Sequence, residues 1–413
     1  MNAMFAWIPH LCIQSDPMVV AKNLLCALHP LTMLLSWTAS NANVRARPQK
    51  LADADLIILH EYGEPSHYTG AVSAAAALDY SAVEQVEFTP LRKLKQGLEQ
   101  GDRDKARKAL RDAWLLALWT LFPQVLRGKT VILGIAPLDW RIAILSRALR
   151  HARIIYHSSW TDWEGARFAK NPAVLTGAIR KAWSNFLTRR VDRFALVTPC
   201  VAEQLHRLFK IDSERLFVVF HAYDPTIFHP APYRPPAPLK VVFAGRFEDC
   251  KGVEYVIELA RRLPSIEFGL AGDGLLRKSI ESAGLPNVTL FGRVSSRAEI
   301  SSIFMQHHVV VLPSRRTIAW EELFGMVLVE AMACGCIPMA TNHTGPSTIV
   351  RDAELRDFIF AEEDFLAGAA SALTKLERDV DRLRALEQKS IQDARRFALS
   401  EVQKIWMDIL RST

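Results

Sequence analysis

The 413-residue sequence lacks the features of several common protein classes. Its first residues, MNAMFAWIP, have neither the basic region nor the long apolar run of a secretory signal, which predicts a cytoplasmic protein. Its longest apolar stretch, Ala113–Leu126, is shorter than the roughly 20 residues that span a bilayer. No internal repeat or long low-complexity tract is present, so a globular protein is expected.

Cysteine is scarce, and its spacing matches no common zinc motif. None of the cysteines forms a CxxC pair, so we expect reduced, buried thiols in a cytosolic protein. The six cysteines are Cys12, Cys26, Cys200, Cys250, Cys334 and Cys336.

The charge balance is basic, with a formal net charge of +7. Basic residues concentrate between Leu91 and Lys129, where Trp114, Trp119 and Phe122 are interleaved with them. One interpretation is a surface that faces anionic lipid or a lipid diphosphate, which would make the protein peripheral to a membrane. The other is a solvated helix face above a core-facing Trp/Leu stripe. No nucleic-acid-binding signature accompanies the charge, so we expect no nucleic acid partner.

Short apolar runs alternate with helical patterns along the chain, which predicts an α/β fold with mainly parallel sheets. The length favours two domains. The segment Phe228–Leu239 contains five prolines and is predicted to be a semi-rigid linker between residues 1–227 and 240–394. The predicted strands are Met4–Ile8, Leu31–Trp37, Leu56–Leu59, Val131–Ile135, Ile154–Tyr156, Phe194–Val197, Leu216–Phe220, Val241–Ala244, Phe268–Ala271, Val288–Phe291, Val309–Leu312 and Cys336–Ala340.

Glycine follows three successive strands of the C-terminal half. Gly245-Arg246 follows the first, with Lys251-Gly252 shortly after, Gly272-Asp273-Gly274 follows the second, and Gly292-Arg293-Val294 follows the third. Because parallel strands end at one sheet edge, these turns should gather there and form a phosphate site.

The next unit, Val309–Val350, contains two carboxylates around a helix start. A helix is predicted over Met326–Ala333, ending before Gly335, and seven residues separate Glu322 from Glu330. Free N–H groups near Gly325 would form an anion site. Carboxylates accept hydroxyl hydrogen bonds well, so the unit suits a nucleoside diphosphate-sugar.

Two histidines stand at predicted strand ends of the N-terminal half, His60 and His157. Ligands of open α/β sheets bind beyond the carboxyl ends of strands, so either ring could face a cleft. For His60 we favour a histidine capped by backbone groups, whereas for His157 the two interpretations are equally supported by the residues alone.

In their order and spacing, these elements resemble the retaining GT-B glycosyltransferases of family GT4 over about residues 238–350. The pair Glu322 and Glu330 is similar to the family's E-x7-E motif. The other matching elements are Gly245-Arg246, Lys251-Gly252, Ala271–Gly274, Phe291–Val294, the whole segment Glu322–Gly335, and Ala340-Thr341.

The resemblance implies a GT-B fold, in which two Rossmann-like domains face each other across a cleft and a C-terminal helix (about 395–413) packs back on the N-terminal domain. It implies roles for particular residues. Arg246 and Lys251 would bind the diphosphate, Glu322 and His157 the donor sugar, Glu330 the ribose, and the Arg293-Val294 backbone the base. Gly245, Gly272, Phe324, Gly325 and Met326 would complete the donor site.

The implied activity is retaining hexosyl transfer from a UDP- or GDP-linked sugar to a hydroxyl of a glycan or lipid-linked acceptor. Polysaccharide or glycolipid biosynthesis is the expected context. No cofactor or metal is required by such enzymes. The motifs Asp53-Ala-Asp55 and Asp379-Val-Asp381 resemble the metal-binding DxD of other glycosyltransferases, but their positions indicate surface residues.

The sequence departs from the family in the N-terminal half and near the motif's end. The departures are Ile8–Cys12 where a glycine-rich loop is usual, His221–Asp224 for Asn-Gly-Val-Asp, and Thr344-Gly345 and Thr348 for Gly-Gly and Glu. Two alternatives therefore stay open: a sugar-nucleotide epimerase of the same fold, and a non-catalytic partner subunit of a glycosyltransferase.

Overall fold

A computed structural model describes residues 55–60, 65–163, 176–318 and 320–411. Within these ranges the chain forms two six-stranded sheets, and every strand pair is parallel. Buried parallel strands need apolar residues on both faces, which explains why continuous apolar runs marked most of them. The predicted strands Met4–Ile8 and Leu31–Trp37, and the Ile8–Cys12 loop, lie outside the described residues.

The N-terminal sheet has the strand order β2-β1-β3-β4-β5-β6. Its strands are β1 Leu56–His60, β2 Val83–Glu87, β3 Thr130–Gly134, β4 Arg153–Ser158, β5 Arg193–Leu196 and β6 Leu216–Val218. Its helices are α1 Thr69–Ala77, α2 Pro90–Glu99, α3 Arg103–Leu121, α4 Ile142–Ala148, α5 Thr176–Arg189 and α6 Pro199–Phe209.

The C-terminal sheet has the strand order β12-β11-β10-β7-β8-β9. Its strands are β7 Lys240–Ala244, β8 Glu267–Ala271, β9 Val288–Gly292, β10 Val309–Leu312, β11 Ile337–Thr341 and β12 Ile359–Phe360. The helices of this half are α7 Val253–Arg262, α8 Arg277–Ser282, α9 Arg297–Met305, α10 Met326–Ala333, α11 Thr344–Ile349, α12 Ala353–Arg356, α13 Phe365–Arg378, α14 Val380–Ala394 and α15 Leu399–Arg411.

The last helix, α15, packs on the N-terminal sheet's side of the molecule. Val402 and Trp406 lie against Gly70 of α1, where a β-carbon would meet Val402 at 2.7 Å. The Arg153 guanidinium donates to the carbonyls of Ile409 and Leu410 at 2.8 and 2.6 Å and so caps the end of the helix. The chain therefore returns from the second sheet to the first.

The proline-rich segment is fixed to the C-terminal half by a buried arginine. Arg234 donates to the carbonyls of Met305 and Cys334 at 2.9 and 2.8 Å and pairs with Glu387 at 3.1 Å. A buried charge needs such partners. The domain boundary at residues 228–239 stays a prediction. The contacts of Arg234 hold this segment against the C-terminal half.

The basic stretch Leu91–Lys129 forms α2 and α3. Helix α3 is capped by Asp102, whose carboxylate accepts the Lys105 N–H at 2.9 Å. One face of α3 buries Ala109, Leu115 and Trp119. None of the helices in the described ranges is long and apolar enough to cross a membrane.

Candidate functional site

A cleft lies where the strand order of the C-terminal sheet reverses. From β7 the chain builds outward through β8 and β9, and then returns to the other side of β7 with β10. The loops after β7 and β10 therefore open side by side at the carboxyl edge of the sheet, where ligands of open α/β folds bind. Segments after β1, β4 and β6 of the other sheet meet them.

One part of the cleft is a cavity of about 790 Å³, which we call the glycine-lined pocket. The turns after β7, β8 and β9 form most of its wall, as the glycine pattern predicted. The predicted residues Gly245, Arg246, Gly272, Arg293 and Val294 all line it.

A second cavity of about 370 Å³, the carboxylate pocket, joins the first along Ala244, Gly245 and Val327. The predicted residues Lys251, Glu322, Phe324, Gly325 and Met326 line it. The opposite wall comes from the other sheet and consists of His67, Ser159 and His221.

Gly252 brings Lys251 to the carboxylate pocket. Its φ is +66°, and a β-carbon there would lie 1.8 Å from the carbonyl oxygen of Pro313. Only glycine allows this left-handed turn and this close approach. The loop after β7 can therefore lie directly against the loop after β10.

Lys251 and Glu322 form the central ion pair of the carboxylate pocket. The Nζ–Oε2 distance is 2.6 Å, and both side chains are mostly buried. Nζ also lies 4.5 Å from the centre of the Trp320 ring, and the Ser314 hydroxyl donates to Glu322 at 3.4 Å. The pair presents a cation and a carboxylate to one cavity.

The neighbouring carboxylate, Glu321, holds the loop. It accepts the backbone N–H and the hydroxyl of Thr344 at 3.1 and 2.7 Å and pairs with Arg316 at 3.2 Å. Burial raises the pKa of Glu321, but these bonds outweigh it and bring the pKa down to about 2. The two adjacent glutamates thus differ in role.

His343 fixes the backbone of Glu322. The Glu322 N–H donates to Nδ1 of the buried imidazole at 3.1 Å, and Nε2 lies 2.9 Å from Glu362. Burial lowers the pKa of His343, so the ring is neutral and carries its proton on Nε2. This histidine orients the loop, and the sequence patterns did not single it out.

Helix α10 begins at the pocket. Gly325 precedes it with φ +91°, and the helix runs to Ala333 as predicted. The first N–H groups of a helix have no partner within it and favour an anion. Phe324, Gly325 and Met326 line the carboxylate pocket at this helix start.

Arg246 lies apart from Lys251. Its side chain is 61% exposed and pairs with Glu248 at 2.8 Å at the wall of the glycine-lined pocket. The two predicted diphosphate ligands therefore line different pockets of one cleft.

Glu330 is buried in the middle of α10 and is not among the described residues that line either pocket. Arg297 Nη2 pairs with its Oε1 at 2.9 Å. Burial raises the pKa of Glu330 to about 7, and the guanidinium opposes that rise.

Histidines form the wall that faces the carboxylates. His67 and His221 stack with ring centres 4.2 Å apart, and His221 also contacts Phe324 at 5.1 Å. His157 lies behind them, between Tyr68 and Trp406 at 5.0 and 6.0 Å, and is not among the lining residues. Its predicted contact with the donor sugar stays a prediction.

Burial keeps these imidazoles neutral. It lowers the pKa of His67 to about 4 and that of His157 to about 3, and it places the pKa of His221 well below its usual value. His60, at the end of β1, is also buried and lies 5.9 Å from the Tyr68 ring.

His67 and His221 were missed as lining residues for different reasons. His221 stood out only as a departure from a family pattern. His67 follows β1, which is paired on both sides and lies where the order of the first sheet reverses. A loop at such a position is expected to line a binding site, but the strand order of the sheet is known only from the structure.

The comparisons with known proteins agree with this geometry. Residues 227–393 match the family model of glycosyl transferases group 1. The D-inositol 3-phosphate glycosyltransferase of Paenarthrobacter aurescens (strain TC1) is 28% identical over 239 residues, which are 53% of this chain and 57% of that protein. Its namesake in Mycobacterium leprae (strain Br4923) is 27% identical over 253 residues, 55% of this chain and 58% of that protein. The chain thus spans little more than half the length of these relatives.

The fold is similar to that of solved structures. The crystal structure of Anabaena Alr3699/HepE in complex with UDP superposes with a TM-score of 0.62 at 15% identity and covers 87% of this chain and all of that one. Sucrose-phosphate synthase from Thermosynechococcus elongatus gives 0.62 at 16% identity, with 86% and 98% covered. The predicted GT-B fold with two Rossmann-like domains is confirmed.

Proposed function

We propose that this protein is a retaining, metal-independent glycosyltransferase of the GT4 type that uses a nucleoside diphosphate-sugar. The observation that carries the proposal is the Lys251–Glu322 pair at the start of α10, beside a pocket lined by glycine turns. The match of residues 227–393 to group 1 glycosyl transferases supports it.

The donor lies across the two pockets. The nucleoside occupies the glycine-lined pocket, with the base near Arg293-Val294. The similarly folded Anabaena Alr3699/HepE, whose structure contains UDP, supports a nucleoside site in this fold. The diphosphate lies between Arg246, Lys251 and the helix start at Gly325. The sugar occupies the carboxylate pocket, where Glu322 accepts its hydroxyls.

Charge determines the chemistry of the transfer. When the bond to the sugar breaks, negative charge develops on the leaving diphosphate. Lys251 and the N-terminus of α10 stabilise that charge from fixed positions, which is the strongest form of catalysis such a site can provide. The acceptor hydroxyl approaches from the side of the carboxylate pocket that His67, Ser159 and His221 line.

Transfer with released nucleotide as the readout tests this assignment. Lys251→Ala should lower kcat/KM about 100-fold, the loss typical of one charge-stabilising donor. Lys389→Ala is the matched control, because Lys389 also pairs with a glutamate at 2.6 Å but outside the cleft. Equal rates for Lys251→Ala and wild type would disprove the assignment, and conversion of the donor to an isomer in the absence of acceptor, followed by NMR, would indicate the epimerase.

The acceptor is a glycan or glycolipid met at an anionic membrane surface. Helix α3 exposes Leu110, Trp114 and Leu121 at 56%, 37% and 72%, spaced as one face of a helix. Trp140 and Ile144 are 52% and 47% exposed at the start of neighbouring α4.

Basic residues continue both exposed stripes. Arg103 and Arg107 extend the α3 face toward its start, and Arg147 extends that of α4. Tryptophan with flanking arginine suits the headgroup region of anionic bilayers. We call these residues the apolar–basic surface.

Vesicle sedimentation tests the apolar–basic surface. The protein should bind phosphatidylserine-containing vesicles, lose binding in high salt, and lose most of it in Trp114→Ala/Trp140→Ala. Tyr233→Ala/Leu275→Ala, at residues 74% and 93% exposed in the other half, is the control. Equal binding to neutral vesicles, or none to either kind, would disprove this surface.

A further inference from the structure

Glu330 has an unusual environment for a ligand-binding carboxylate. It is only 8% exposed, and one of its oxygens, Oε1, is paired with Arg297 at 2.9 Å. The other oxygen, Oε2, accepts no hydrogen bond from the described residues and is not among the fully buried atoms without a partner. A buried carboxylate left without a cation would be strongly disfavoured as an anion.

Arg297 is held in place for this contact. It is the first residue of α9, and the preceding Ser296 caps the helix, because its hydroxyl accepts the Glu299 N–H at 3.3 Å. Its guanidinium lies 5.0 Å from the centre of the Phe228 ring. The Arg297 side chain is 41% exposed, so it lies between the buried carboxylate and solvent.

The pair stands at one end of the glycine-lined pocket. Ile300, one turn after Arg297, and Val327, one turn before Glu330, both line that pocket. The open oxygen of Glu330 is therefore close to the space assigned to the nucleoside.

We infer that Arg297 is a positioning residue, which favours the ionised form of Glu330 and orients it through Oε1 so that Oε2 can accept a ribose hydroxyl. This inference rests on the proposed function. Arg297 acts through Glu330, whereas an arginine that contacted the ligand directly would contribute equally whether or not Glu330 carried a charge.

The two modes differ in their pH dependence. Arg297 is the charged side chain that acts on Glu330, and Cys334, just after the end of α10, stays neutral because burial raises its pKa to about 11. Removing the guanidinium should raise the pKa of Glu330 further above its value of about 7. The carboxylate would then be protonated at neutral pH and recover its charge only in alkali.

Calorimetric titration with UDP, and with GDP if UDP does not bind, tests the inference between pH 6 and 9. Arg297→Gln should weaken binding about tenfold at pH 7 but less than about twofold at pH 9, since one pKa unit corresponds to a tenfold change. Arg297→Lys should stay near wild type. In a Glu330→Gln background, Arg297→Gln should cost nothing more.

A loss that is equal at every pH, or additive with Glu330→Gln, would overturn the inference. Arg261→Gln, which removes an exposed arginine paired with Glu258 on α7, is the control and should bind UDP as wild type does. Thermal unfolding of each variant checks that it is folded. Failure of the wild type to bind any nucleoside diphosphate would instead refute the proposed function.

Discussion

The two walls of the cleft differ in charge and in the way their side chains are held. On the C-terminal wall, Lys251, Glu321 and Glu322 form ion pairs, and each is fixed by a specific partner. On the N-terminal wall, His67 and His221 are neutral rings stacked on each other. This contrast fits the proposal that the diphosphate of the donor binds on the C-terminal wall and the neutral acceptor approaches from the N-terminal wall.

Removing a charge from the C-terminal wall should have the largest effect on the rate of transfer. Glu322→Gln should lower the rate of transfer about 100-fold with a smaller fall in Tm than Glu321→Gln, because it removes a charged hydrogen-bond acceptor of the proposed donor and only one ion pair. Rates of nucleotide release and thermal unfolding measure the two effects.

Glu321→Gln should show the opposite pattern and separate the two adjacent glutamates. It should destabilise the fold by about 2 kcal/mol, since Glu321 accepts charge-assisted bonds that hold the loop. The pKa of Glu321 is lowered in the folded state, so this stabilisation is present above its unfolded pKa and is lost as pH falls toward about 2. Similar losses of activity and Tm in both variants would remove the distinction.

The N-terminal wall should respond to acid. The unfolded chain takes up protons on histidine near pH 6.5, whereas the folded state resists them to about pH 4 at His67 and about 3 at His157. Stability should therefore fall below pH 6.5, by about 1.4 kcal/mol per pH unit for each such ring.

Unfolding free energies between pH 7.5 and 5 check this dependence. The decline should be shallower in His157→Phe, while His229→Phe, at an exposed position, should keep the wild-type slope. If the unfolding free energy of the wild type did not depend on pH, or if the slope were unchanged in His157→Phe, the buried imidazoles on this side of the cleft would not be neutral in the folded state.

The smallest effect is expected for nucleotide binding by the N-terminal wall. His221→Gln keeps a neutral hydrogen-bonding side chain, so UDP affinity between pH 6 and 8 should change by less than about twofold. Titration calorimetry measures it. A tenfold loss of UDP affinity would place part of the anion binding on the histidine side, contrary to the proposed difference between the two walls.

The sequence predicted most strands and one helix closely, because buried parallel strands and glycine-ended helices leave local signals. Strands Leu56–His60 and Val309–Leu312 and helix Met326–Ala333 were found this way. Strand Val83–Glu87 was missed since its sequence VEQVE is polar, as an edge strand's can be, and the two-residue strand Ile359–Phe360 is too short to give a pattern.

The C-terminal wall of the site was also visible in sequence, since its residues follow strand ends in one domain. Partnerships between distant segments were not. His343, which accepts the Glu322 N–H, comes after α10 in the sequence, and Arg297, which pairs with Glu330, lies on another helix. His67 and His221 are distant in the sequence and stack only in the folded protein. Such contacts depend on tertiary packing, so no residue spacing in the sequence predicts them.

In the proposed site, the C-terminal wall recognises the diphosphate of the donor through Lys251. The ratio of uridine Kd to UDP Kd in wild type and in Lys251→Ala tests it most directly. We expect UDP to bind far more tightly than uridine in the wild type, and we expect Lys251→Ala to weaken UDP about tenfold or more while leaving uridine unchanged. Equal losses for both ligands, or no loss for UDP, would contradict the claim.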